Sequence, residues 1–219
     1  PTFPVYVYSD PSLGIETTWG ISPTLGIQTF WLHAEVSGYA NRINDFIYFA
    51  PELDADGEPS FDVTIRGAFP RYSFRAIDAG FHGVDGSIHL GPDSIFGMRL
   101  QGSVIRAYDL ATNDFLVGTP PDQFVVTAIG QRASLGALRD THLELSMEAV
   151  AEQSRVEPCQ DLAPPPDGYV LFHASIGADL PRSERTWSFG IEAHNLLNTK
   201  YREYTSLIRY YADQPGRDV

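Results

Sequence analysis

The chain has one cysteine in 219 residues, Cys159, so no intrachain disulfide can staple it and no cysteine-rich metal knuckle can form. Cys159 has no histidine or basic neighbour to lower its thiol pKa, which makes it an incidental thiol rather than a nucleophile. Positive charge is also scarce: 15 Lys and Arg stand against 28 Asp and Glu, a formal net charge of −13. Without a basic face to replace phosphate counterions, a nucleic-acid binder is excluded. No apolar run approaches the ~18 residues of a membrane helix, and no stretch shows convincing amphipathic helical spacing. No basic segment followed by an apolar one opens the chain as a leader would. Pro1-Thr2-Phe3-Pro4 does not read as a natural start, so the expectation is a piece of a longer protein. His-Glu-x-x-His, Gly-x-Ser-x-Gly, Cys-x-x-Cys, Gly-x-Gly-x-x-Gly and the phosphate loop are all missing. No catalytic residue is assigned, and an enzyme is not expected.

Alternation is present instead. Thr186-Trp187-Ser188-Phe189-Gly190-Ile191-Glu192-Ala193-His194 sends Trp, Phe, Ile and Ala to one side and Thr, Ser, Glu and His to the other. Residues 142–149 and 170–179 repeat the pattern, and rougher versions occur near 16–28, 31–47, 74–90, 95–108 and 123–133. Period two over such lengths specifies strands with one apolar and one polar face. The reading is all-β, with about eight strands.

The connections between these strands alternate in length. Short ones fall near 28–31, at Gly91-Pro92-Asp93-Ser94 and at Pro181-Arg182-Ser183-Glu184-Arg185, with a moderate link near 134–140. Long ones fall at 50–72, 109–122, 157–166 and from 199 onward. Antiparallel strands joined this way keep every long loop at one end, the habit of outer-membrane barrels. The predicted fold is therefore a transmembrane antiparallel β-barrel, its apolar side facing lipid. Trp187, Phe189, Tyr169, Phe172, Phe30 and Trp31 sit near strand ends, where aromatic girdles meet headgroups. Two alternatives stay open: a soluble β-rich ligand-binding module of carbohydrate type, or a complete eight-stranded barrel acting as pore or adhesin. Against closure as a complete barrel, Pro215-Gly216-Arg217-Asp218-Val219 reads as a turn entering one more strand.

In a barrel the polar side lines the lumen. All six histidines (33, 82, 89, 142, 173 and 194) are assigned to it, alongside Glu144, Glu148, Asp179 and Glu192. Imidazole and carboxylate suit transition metals. His142, Glu144 and His173 are therefore candidate contacts for a metal or its chelate, set against the plainer reading of a solvated lumen wall. The loop Glu52-Leu53-Asp54-Ala55-Asp56-Gly57-Glu58 offers hard oxygen ligands at Asp54, Asp56 and Glu58, although its spacing misses the EF-hand pattern. Arg71-Tyr72 and the Tyr201–Tyr211 tail are placed to touch a ligand from above.

Four segments carry a family resemblance. Gly190-Ile191-Glu192-Ala193-His194-Asn195-Leu196-Leu197-Asn198, with Tyr201 and Pro215-Gly216-Arg217, resembles the penultimate strand and final turn of TonB-dependent outer-membrane receptors. Asp10-Pro11-Ser12-Leu13-Gly14-Ile15-Glu16-Thr17-Thr18 is similar to the lead-in to one of their strands. Asn41-Arg42-Ile43-Asn44-Asp45-Phe46 resembles a strand leaving the outer leaflet. Ala79-Gly80-Phe81-His82-Gly83-Val84-Asp85-Gly86 resembles Ala-x-Phe-x-Gly-Val-Glu-Gly, with Asp85 in place of Glu. The resemblance implies that residues 1–219 are the C-terminal portion of a barrel of the roughly 22-stranded, plugged type. The plug domain and last strand would lie outside this chain. It also implies residence in the outer membrane of a Gram-negative-type cell and contact with the lipid bilayer. The implied activity is uptake of a ferric siderophore or other metal chelate, energised by the TonB complex through the absent N-terminal part. No cofactor is implied.

Overall fold

The structure, a computed structural model, describes residues 5–9, 11–156 and 160–219. The readings made for the chain start, for Asp10 and for Cys159 lie outside the described residues. Eleven strands form one sheet. They are β1 (Tyr6–Ser9), β2 (Thr17–Ile21), β3 (Thr24–Gln28), β4 (Leu32–Pro51), β5 (Phe61–Thr64), β6 (Gly67–Leu90), β7 (Phe96–Asp109), β8 (Gln123–Leu135), β9 (Leu138–Val150), β10 (Tyr169–Arg182) and β11 (Arg185–Ala193). One 3-10 turn, Leu207–Tyr210, is the only helical segment among the described residues. The spine runs β11-β10-β9-β8-β7-β6-β4-β2, and β3 continues the line of β2 along β4. β2 and β3 are parted at Ser22-Pro23, where proline has no N–H for the ladder and is tolerated on a sheet edge.

The hydrogen-bond register gives the alternation its meaning. Ala193, Ala174, Leu145, Ala128, Met98, Leu90 and Leu32 lie side by side across seven strands. One residue along, on the opposite face, His173, Ser146, Thr127, Arg99, His89, His33 and Gln28 form an equally continuous row. The apolar face is uncovered: Trp19 is 73% exposed, Leu145 52% and Ile191 61%. A soluble sandwich would bury these side chains under a second sheet, and none is present among the described residues. Nor does the sheet close on itself, since β11 and β2 stand at opposite ends of the order. The fold is an open antiparallel wall of the outer-membrane-barrel kind. β7 and β10, 14 residues each, extend about 46 Å and rise about 33 Å at a 45° tilt, enough to cross an apolar band of about 25 Å.

Four details differ from the sequence reading. The link near 134–140 is a two-residue turn, because Leu135 pairs with Leu138 and Gly136, at φ 63°, supplies the positive φ of a tight hairpin. The 50–72 segment is not all loop: β4 runs to Pro51, β5 and the start of β6 form a hairpin, and β1 joins β6 in parallel at Arg71–Phe74. His82 is on the apolar side, in a row with Ala40 and Arg106, and its ring nitrogen lies 2.6 Å from the Tyr108 hydroxyl. Tyr169 belongs to the inner face and meets the Tyr201 ring at 4.5 Å, so it is not part of a lipid girdle.

The motifs have local physical roles. β4 takes in one extra residue against β6 between Ile43 and Phe46, with Asp45 at φ 55°. Around this bulge Asp78 accepts from Arg42 at 3.2 Å, and Glu16 accepts from the Ile47 N–H at 2.7 Å. The bulge turns Phe46, Tyr48 and Ala50 to the inner face, opposite Ile77, Arg75 and Ser73. Gly83 makes no bulge. It admits the Tyr39 ring instead, for a Cβ there would stand 2.4 Å from the Tyr39 hydroxyl.

The two faces should respond differently to charge. Ile176→Arg, on the apolar face between Leu143 and Ile191, is expected to cost about 2–4 kcal/mol in vesicle-embedded full-length protein. Ser175→Arg, between Glu144 and Glu192 on the other face, should cost under about 1 kcal/mol. Denaturant unfolding of both variants measures the difference.

Candidate functional site

The inner face at the long-loop end is where the loops fold back onto the sheet. Tyr48, Ala50, Ala79 and Ala107 form a small apolar floor there, and Leu116 folds onto it from the 110–122 loop. The Leu116 N–H bonds Ala107 O at 3.0 Å, and the Val117 N–H donates to the Tyr48 hydroxyl at 2.6 Å. The loop therefore bends inward over the sheet rather than away from it.

Two polar knots bind the loops together. In the first, Arg209 and Asp161 form an ion pair with side chains 3% and 2% exposed. The Tyr210 hydroxyl donates to the same carboxylate. The Arg209 guanidinium lies over the Tyr204 and Tyr210 rings at 4.5 and 4.3 Å, within cation–π range. The Tyr204 hydroxyl in turn accepts from the Gly118 N–H at 3.5 Å. Burial, reinforced by the nearby Asp161, pushes the Tyr204 hydroxyl up to about 12, and burial with the Asp161 hydrogen bond raises that of Tyr210 further. Both remain neutral donors at any physiological pH. In the second knot, Asp122 takes Arg106 at 2.6 and 3.0 Å and Arg155 at 2.6 Å. Gln153, 1% exposed, joins Arg155 to the Thr119 carbonyl. The Arg106 hydrogen bond holds the Asp122 carboxyl below its usual 3.8, with the Arg155 charge assisting.

The tail is shaped by the asparagines of the 190–198 motif. Asn195 and Asn198 adopt φ of 51° and 54°. Asn195 exchanges two 2.8 Å bonds with Thr199, and Asn198 Oδ1 receives the Arg217 N–H at 3.0 Å. Asp218 thereby returns beside His194, pairing backbone to backbone at 2.8 and 3.2 Å.

Below the loops, the inner wall holds a shallow cavity of about 380 Å³ lined by Glu35, Asp85, Gln101, Ser103 and Gln123. Of the candidate lumen residues, His142 lies against Gly177, where a Cβ would come within 2.4 Å of its ring. Glu144 reaches Arg99 at 3.9 Å. His173 stands four residues along β10 from Gly177, roughly 13 Å away. The structure brings it together with His194 and Glu148 instead. The loop candidates are not convergent. Asp54 Oδ1 accepts the Asp56 and Glu58 N–H groups at 2.9 and 3.1 Å, capping its own hairpin tip. Among the described residues no three His, Cys, Asp or Glu side chains gather as a metal centre. The sequence reading missed Asp161, Arg209 and Asp122: these are charged residues in irregular segments without period, and only their pairing, buried for Asp161 with Arg209 and half-buried for Asp122, distinguishes them.

This wall, with its polar inside, apolar outside and one end of inward-folded loops, has the architecture of outer-membrane barrels. No family model and no curated protein matches the sequence. Solved structures do share the fold. The copper transporter OprC matches over 94% of this chain and 30% of its own, with 17% identity and a TM-score of 0.70. The FrpB iron transporter from Neisseria meningitidis matches over 97% and 32%, with 10% identity and a TM-score of 0.63. The siderophore receptor PirA from Acinetobacter baumannii matches over 92% and 30%, with 15% identity and a TM-score of 0.55. The chain spans about a third of the length of these structures, and at such identities the likeness is one of fold.

Removing one partner of the buried pair, as in Asp161→Asn, should cost about 3–5 kcal/mol locally. Amide exchange of 116–118 and 204–211 in the full-length protein should accelerate, while that of β8 and β9 stays unchanged. The Asp122 knot has a defined pH response. Its folded value is lowered, so its contribution is complete above the ordinary carboxyl value of 3.8 and is lost as pH falls through the depressed one. Exchange at 119–122 and 153–155 should therefore rise only in strong acid, and Asp122→Asn should abolish that acid step.

Proposed function

We propose that this chain is the C-terminal part of the barrel wall of an outer-membrane receptor, of the TonB-dependent kind, that imports a scarce metal-bearing nutrient. The cargo class is a ferric siderophore or other metal chelate. The observation that carries the reading is the uninterrupted pairing of an apolar row and a polar row across one antiparallel sheet whose long loops all lie at one end. Lipid solvates the first row and the lumen contains the second. The fold likeness to barrels named as copper, iron and siderophore transporters or receptors supports the cargo class. The four motif segments support the family.

On this reading the segments at 110–122, 151–156, 160–168 and 194–214 form the outer mouth, and the two arginine–aspartate knots keep them shaped for capture. Binding and translocation involve no group transfer, so the work of the residues is to hold and release. Energy enters through a plug and a TonB contact supplied by parts of the protein beyond residues 1–219, which engage the inner wall. The test uses the full-length gene in its own host under metal limitation. Deletion should abolish uptake of at least one radioiron-labelled or copper chelate, and removal of TonB should do the same. Recovery of the protein in a soluble fraction, or uptake unchanged by the deletion, would overturn the proposal.

A further inference from the structure

The polar row described above continues past β10 to His194, directly beside His173. It then crosses the wall obliquely through Ser146, Thr127, Arg99 and His89 to His33, which lies two residues from the short turn at 29–31. At its long-loop end the two imidazoles face each other. His173 Nδ1 and His194 Nδ1 are 3.3 Å apart, with ring centroids at 5.4 Å. Each ring turns its other nitrogen toward a carboxylate: His173 Nε2 is 3.5 Å from Glu148 and His194 Nε2 is 3.7 Å from Glu192. His173 Nε2 is buried and makes no hydrogen bond.

We propose that His173 and His194 bind a divalent ion of the zinc, copper and nickel group between their Nδ1 atoms, on the inner wall near the outer mouth. The chemistry follows from the tautomers. A carboxylate on the Nε2 side favours the tautomer with its proton on that nitrogen and its lone pair on Nδ1. With both ring protons on Nε2, the two Nδ1 lone pairs are available to converge on one ion; with a proton on one Nδ1, the same 3.3 Å contact is a hydrogen bond between the rings. The spacing suits a metal: two nitrogens each about 2.0–2.1 Å from one tetrahedral ion lie about 3.3 Å apart. Imidazole selects borderline transition ions over calcium or magnesium. Glu148 and Glu192 then act as outer partners that orient the rings, while water completes the coordination. Two protein ligands make a site that exchanges its ion readily, as suits the wall of a lumen. The inference stands on this geometry alone and does not require the uptake reading.

Calorimetry with Zn²⁺ and electron paramagnetic resonance with Cu²⁺ on the full-length protein in detergent test it. The wild type should hold one more equivalent of Zn²⁺ than the His173→Gln/His194→Gln double variant. Its Cu²⁺ signal should carry nitrogen couplings from two imidazoles that the double variant lacks. Glu148→Gln should weaken the site by about tenfold through its outer-sphere role. His82→Gln, on the lipid side, should change nothing. Heat-modifiable gel migration reports whether each variant is folded. Equal Zn²⁺ binding by a folded double variant, or Cu²⁺ couplings from fewer than two imidazoles in the wild type, would overturn the site and leave a shared proton as the reason the rings approach.

Discussion

Everything in this wall depends on backbone hydrogen-bond closure where water is absent. In a bilayer an unpaired N–H or C=O costs several kcal/mol, so a strand can cross only if both neighbours satisfy it. β4 and β6 through β10 each have a neighbour on both sides over their central residues. Side-chain chemistry is then free to differ between faces at no cost to the ladder. An all-apolar row and an all-polar row can lie one residue apart across seven strands. A single slip in register would exchange the two, so the register shifts, at Asp45 of β4 and between Gly177 and Asp179 of β10, stand toward opposite ends of the wall rather than in its middle.

The loops show a second economy. Segments without a ladder carry their own polar closure, in the Asp161–Arg209–Tyr210 and Asp122–Arg106–Arg155 knots. Both tie residues far apart in sequence, and both occur where the chain leaves regular structure. Buried ion pairs of this sort give less net stability than their short distances suggest, but they specify one loop arrangement among many. The apolar floor beneath supplies only a place for the loops to rest.

Much of the fold was legible because period two is a local signal. The seven long strands, β4 and β6 to β11, follow from alternation alone, the predicted 16–28 segment divides into the short β2 and β3, and the alternating connection lengths set the sidedness of the loops. What escaped was whatever depends on register or on irregular chain. His82 was assigned to the lumen, although its own alternation sets it with Val84 and Ile88 on the apolar side. β1 and β5 were hidden in segments whose aromatic content reads as loop or strand equally well. His173 was selected as a lumen candidate, yet its partner His194 lies 21 residues away and meets it only through the β10–β11 register. Asp161 and Arg209, separated by 48 residues, have no sequence signal at all.

The order of the spine also bears on how such a wall assembles. Along the spine each long strand pairs with the long strands before and after it in the chain, so the interfaces from β4 to β11 join chain neighbours, while the short β1 meets β6 in parallel from a distance. Such interfaces form quickly because little loop entropy is spent before the first bonds are made. The sheet can therefore lengthen stepwise from one hairpin to the next, exposing only its leading margin at any moment. Its two outermost margins, β11 and β2 with β3, are the places where zippering must halt or be handed to another segment, and they set where a stalled intermediate would stick to its neighbours.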